Sequence, residues 1–175
     1  LAVGDELFLE TDQYSGSSFR TLKFVVTDGV VTAAAVPTRL NTIVPISEEE
    51  ADRTRTFTME TGGMGSFSIN GRTMDMDRID VRLPVGSTEI WAIRNLGMMN
   101  IPHSFHVHDV QFQILDINGE APPAELAGWK DTVLLWAGDE MRIIAQYADF
   151  TGLYMYHCHL LVHEDQGMMG QFEVY

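Results

Sequence analysis

All six histidines of this 175-residue chain fall in two short clusters, and its single cysteine lies inside the second. The first cluster, HSFHVH, holds His103, His106 and His108. The second, HCHLLVH, holds His157, His159 and His163 around Cys158. No histidine precedes His103. Grouped imidazoles and a thiol point to metal binding, because a neutral ring nitrogen and a thiolate are strong donors to transition metals.

Strand geometry divides these residues into two groups. Alternate side chains on a strand point to opposite faces. His157 and His159 therefore share a face, and Cys158 points to the other. His106 and His108 also share a face, while His103 lies an odd number of positions from His106 and points away from it. One site can gather His106, His108, His157 and His159. Another can gather His103 and Cys158 behind the sheet. His163 follows Cys158 by five residues, and Met168 follows His163 by five, so both can join the second group. Two imidazoles, a thiolate and a weak axial thioether are the donors of a blue copper centre. Zinc is the rival metal for Cys and His, although a Met at this offset and an adjacent all-His site are unusual for it.

The elements that must position these donors read as strands. Short runs rich in β-branched and aromatic residues occupy 7–10, 21–26, 55–59, 80–84, 89–95, 111–117, 132–136, 141–147, 153–158 and 170–175, bounded by Gly, Pro, Asn and Asp. Segments 78–83 and 89–94 alternate or nearly so. Asn118-Gly119 is a turn signal after a strand. Helical period is weak; the best candidate is 47–53, where Ser47 can cap an acidic first turn. Many short strands at this spacing predict an all-β sandwich or Greek-key barrel. Residues 35–53, with Pro37, Pro45 and an acidic run, read as a linker. A boundary near residue 54 leaves 1–53 too short to bury a core alone and 54–175 the size of one β-sandwich.

Composition bounds the partners. The formal net charge is −14, with Lys23 and Lys130 the only lysines. Such a chain should repel nucleic acid and anionic membranes. No apolar stretch is long enough to span a bilayer. One cysteine permits no internal disulfide. The N-terminal LAVGDELFLE lacks the features of a signal peptide and reads as if cut from a longer chain.

The segments IPHSFHVHDVQFQIL, GWKDTV and YHCHLLVHEDQGMMGQF closely resemble the C-terminal copper motifs of the multicopper oxidases. The resemblance is strong over 54–175. Over 1–53 it is weaker, matching the closing strands of a preceding cupredoxin domain and its connector. It implies an all-β, cupredoxin-type Greek-key sandwich or barrel. It also implies His103, Cys158 and His163 as type 1 copper ligands with Met168 axial, His106 as a type 2 ligand, and His108, His157 and His159 as type 3 ligands. Glu164 resembles an acidic residue that some members use to deliver protons to oxygen. Asp131 in GWKDTV could orient the copper region through hydrogen bonds.

The implied activity is one-electron oxidation of phenol-like or metal-ion reductants, coupled to reduction of dioxygen to water at a trinuclear copper cluster. That cluster needs eight histidines in the family, and this chain offers four. An upstream cupredoxin domain, a companion chain or a neighbouring subunit is expected to bring the rest. The resemblance also implies a secreted, periplasmic or cell-surface address. Met59, Met64, Met74, Met76, Met98 and Met99 are scattered and read as core or loop residues. The competing reading is an electron-transfer or copper-storage cupredoxin without oxidase activity, which leaves four histidines without a role.

Overall fold

The structure, a computed structural model, describes residues 1–11, 18–29, 34–97 and 100–175. Met98 and Met99 lie outside them. In chain order the strands are β1 (Glu6–Glu10), β2 (Arg20–Val25), β3 (Arg53–Thr61), β4 (Phe67–Ile69), β5 (Val81–Leu83), β6 (Ser87–Asn95) and β7 (His103–Val107). They continue as β8 (Phe112–Ile117), β9 (Trp129–Lys130), β10 (Thr132–Leu135), β11 (Glu140–Tyr147) and β12 (Gly152–Cys158). A single-turn helix, α1 (Leu161–Asp165), precedes β13 (Met169–Val174). Compact units span Leu1–Asn41 and Thr42–Tyr175.

In the first unit β1 and β2 pair as an antiparallel ladder whose described side chains are exposed. The Arg20 guanidinium lies 4.0 Å above the Phe8 ring. A lone two-stranded ladder is marginal in water and needs further surface to cover it.

The second unit is an all-β, largely antiparallel sandwich of the cupredoxin Greek-key type. Among the described residues one sheet runs β10-β7-β12-β13-β5, and the other β4-β3-β6-β11-β8-β9. Their inner faces bury Phe57, Trp91, Phe105, Phe112, Tyr156 and Phe172, with Met59, Cys158 and Met168 in the same core. Each large side chain buried here contributes about 1.5–3 kcal/mol relative to exposure. Met76 is an exposed loop residue.

Strand β6 is buried along almost its whole length, so the near-alternation of 89–94 does not leave it half wet. The reason lies on its outer face. Ile46 packs there against Ile90 and Ile144, with Ala51 and Leu115 beside them. The Ile46 amide donates to the Gln113 side chain, whose own amide donates to the Val44 carbonyl. Part of the stretch expected to be linker, from Thr42 onward, thus belongs to the second unit. The expected helix at 47–53 is a single 3-10 turn at Glu48–Glu50, capped by a Ser47/Glu50 capping box. Asn118 and Gly119 both take positive φ and close a tight turn at the end of β8 through the antiparallel Ile117–Glu120 bridge.

Candidate metal centres

Strand register brings the two motifs together. Central strand β12 pairs antiparallel with β7, setting His157 opposite His106 and Cys158 opposite Phe105. Along β7 the side chains of His103, Phe105 and Val107 point into the core, while His106 is half-buried on the other face. The period-2 expectation therefore holds: His103 and Cys158 sit on the core side, and His106, His108 and His157 on the other.

On the core side, Cys158 Sγ lies 3.5 Å from His163 Nδ1 and 3.8 Å from His103 Nδ1, and the two Nδ1 atoms are 3.1 Å apart. His163 reaches this point because α1 turns the chain back immediately after β12. Met168 is fully buried, and its backbone ties the loop shut. Its N–H donates to the His163 carbonyl, and its carbonyl accepts from the Cys158 N–H. Burial, reinforced by His163, lowers the His103 pKa to about 4. Burial lowers His163 as well and raises the Cys158 thiol. Both rings are therefore neutral near pH 7, with lone pairs available for a metal. A metal binding here would replace the thiol's proton, which is released to solvent.

On the opposite side, donor atoms of His106, His108 and His157 lie within 4.8 Å of one another. His108 Nε2 and His157 Nε2 are 3.1 Å apart. The His159 ring stands 5.2 Å from that of His106 and 5.3 Å from that of His157. Backbone carbonyls set the tautomers. His106 Nδ1 faces the Asp131 carbonyl at 2.8 Å, and His157 Nδ1 faces the Cys158 carbonyl at 3.1 Å. A carbonyl only accepts, so each Nδ1 carries the proton and each Nε2 presents its lone pair, that of His157 toward His108 Nε2. Asp131 thus orients His106 through its main chain, while its carboxylate accepts from the Thr132 hydroxyl.

Glu164 lies between the two motifs' chemistry. Its Oε2 is buried and makes no hydrogen bond, yet stands 3.3 Å from His157 Nδ1 and 3.8 Å from His159 Nδ1. A buried carboxylate oxygen left in this way needs a cation or a proton close by.

The family model of the multicopper oxidases matches residues 44–175. The chain belongs to this family. A multicopper oxidase of Staphylococcus haemolyticus is 38% identical over 141 residues, covering 75% of this chain and 31% of that protein. A crystal structure of a Pediococcus acidilactici laccase superposes with a TM-score of 0.85 at 35% identity, covering 100% of this chain and 37% of the other. The McoA multicopper oxidase of Aquifex aeolicus superposes at 0.84 with 27% identity, covering 99% and 41%. The chain thus spans about a third of the length of these multicopper oxidases.

The residues fit copper. Two Nδ1 atoms and one thiol sulfur in a buried group match a type 1 copper site. The second group, with Nε2 atoms facing one another and a carboxylate oxygen beside it that makes no hydrogen bond, has the imidazole-rich character of a further multicopper oxidase site, in part. Two contacts escaped the sequence motifs. Thr61 Oγ1 lies 3.1 Å from His103 Nε2, and the Phe67 ring stacks on His163 at 3.8 Å between centroids. No spacing rule links either residue to its histidine, because each contact is made between elements far apart in sequence.

Proposed function

We propose that this chain is the C-terminal copper-binding cupredoxin domain of an oxidase. The full protein would couple one-electron oxidation of phenol-like or metal-ion reductants at a type 1 copper to four-electron reduction of dioxygen to water at a trinuclear copper cluster. His103, Cys158 and His163 would hold the type 1 copper with Met168 axial, His106 the type 2 copper, and His108, His157 and His159 the type 3 coppers. Residues 1–53 would close a preceding cupredoxin domain and connect it to this one. That domain, or another chain, would bring the remaining histidines. An address outside the cytoplasm accords with this reading, and among the described residues no helix is long and apolar enough to cross a membrane.

One observation carries the proposal. Cys158 of the core-side metal cluster, the first, is covalently adjacent to His157 of the cluster on the opposite face, the second, and His157 Nδ1 also donates to the Cys158 carbonyl. When bound, copper supplies reversible one-electron chemistry at both ends of this link. The chain itself supplies the short bonded path between them and excludes water from Cys158 by complete burial. Glu164 Oε2 is in reach of two imidazoles of the second cluster and is suited to hold and pass a proton there. An electron-transfer or storage cupredoxin would need only the first cluster.

The decisive experiment uses the full-length protein. Copper–thiolate bonding should make the oxidised protein intensely blue, and Cys158→Ser should abolish that colour while the histidine-rich side still takes up metal. Blue colour persisting in Cys158→Ser would overturn the assignment.

A further inference from the structure

The two histidine clusters differ in how their ring orientations are set. Main-chain carbonyls face Nδ1 of His106 and His157, the Thr132 hydroxyl joining the Asp131 carbonyl at His106. His103 and His163 present the other nitrogen, Nδ1, to their cluster, and for Nδ1 to bind a metal the neutral ring must carry its proton on Nε2. The atom facing His103 Nε2 is the Thr61 hydroxyl oxygen, 3.1 Å away. Thr61 ends β3 and is buried. Its direct cross-strand partner on β4 is Phe67, also buried. Phe67 stacks on the His163 ring, with 22° between the planes, and meets the His103 ring edge-on at 6.1 Å. One register pair of the β3–β4 hairpin therefore touches both imidazoles, the first through a hydrogen bond and the second through a ring face.

The walls around this contact leave no slack. Buried Asn95 donates its side-chain amide to the carbonyls of Ile101 and Leu135 and accepts from the Gly97 N–H. That holds the Gly97 backbone against the far edge of His103. A Cβ at Gly97 would stand 2.8 Å from Asn95 Oδ1, 3.3 Å from Thr61 Oγ1 and 3.4 Å from His103 Nε2. A side chain at Gly97 would therefore press on Asn95 and crowd the Thr61–His103 contact.

We propose that the Thr61–Phe67 pair is a positioning clamp that pre-sets both imidazoles of the cysteine-containing cluster, Thr61 by accepting the Nε2 proton of His103 and Phe67 by fixing the plane of His163. Neither residue touches a metal; each acts through a histidine. The inference rests on the proposed assignment of copper to this cluster for its consequence, but the clamp itself is a property of the metal-free protein.

The test is made on the full-length protein, labelled with ¹⁵N in its histidines and stripped of copper, using long-range ¹H–¹⁵N NMR to read each ring's tautomer. In the parent protein His103 should carry its proton on Nε2; finding it on Nδ1 would overturn the clamp without recourse to any variant. Thr61→Val, which removes the oxygen at matched size, should depopulate the Nε2–H form and weaken copper binding by about 10- to 100-fold. Thr61→Ser should restore both. Phe67→Leu should disturb the His163 ring signals and lower copper affinity while leaving the His103 tautomer unchanged. Thr61→Val with parental tautomer and affinity, or Thr61→Ser as impaired as Thr61→Val, would refute the proposal. Failure of the copper assignment is read separately, from the colour of Cys158→Ser, and leaves the tautomer result intact.

Discussion

At the scale of single residues, the first cluster combines strong and weak donors whose effects separate. Met168 is buried beside Cys158 and His163 through its backbone bonds to both. As the proposed weak axial donor it would be dispensable for binding but not for tuning. Met168→Leu should keep copper and raise the reduction potential, because a donor that favours the oxidised ion is lost. Potentiometry showing a fall or no change would exclude an axial Met168. Acid should act on the same group of residues. The folded-state pKa of His103 is depressed to about 4 from an ordinary 6.5, and His108, His157 and His163 are lowered too, all chiefly by burial. A depressed histidine binds fewer protons in the folded state than in the unfolded one. The stability of the copper-free protein should therefore be complete above pH 6.5 and fall progressively toward about pH 4. Denaturant midpoints measured across that window check the sign; a midpoint that rises on acidification contradicts it.

Among the elements, β3 and β6 run parallel and carry the most buried ion pair described. Arg55 donates to both oxygens of Glu89, at 2.6 and 2.7 Å, and Trp91 Nε1 donates to the same carboxylate at 2.9 Å. Glu89 is 3% exposed, so it cannot turn to water if Arg55 is lost. Arg55→Leu should cost about 3–5 kcal/mol, because a carboxylate is left buried without its counter-charge. The double variant Arg55→Leu/Glu89→Leu should recover much of that loss, since no charge then remains to be solvated. Chemical denaturation of the three proteins decides it; a double variant no more stable than the single one would show that packing, rather than charge, sets the cost. These strands matter to the metal sites because β3 ends at Thr61 and β6 leads into the Asn95–Gly97 wall.

For the molecule as a whole, the proposed trinuclear assignment leaves the second cluster unfinished as it stands. The four imidazoles assigned to it would offer one bond each, which is too few to complete three copper ions. The 175-residue chain on its own should take up the copper that gives the blue colour, yet consume little oxygen with a phenolic reductant, whereas the full-length protein should turn over. Full turnover by the strictly monomeric chain would sink the proposed division of ligands between domains.

The sequence by itself determined how the histidines and Cys158 separate into two groups. Period-2 alternation along β7 and β12 depends only on local backbone geometry, so His103 with Cys158, and His106 with His108 and His157, could be read from spacing. The all-β character was equally local, written in short β-branched runs and turn residues. Helix α1 was not legible, because one turn is too short to show a helical period. Tertiary structure alone decided which atoms face those donors. The Asp131 carbonyl at His106, Thr61 at His103 and Phe67 on His163 depend on the register of strands remote in sequence, and no local rule encodes that register. It also decided that Ile46, in a stretch whose prolines and acidic residues read as linker, should cover Ile90 and Ile144. A strand's outer face is closed by whatever apolar side chain the chain can bring to it, and only the assembled sandwich determines which one arrives.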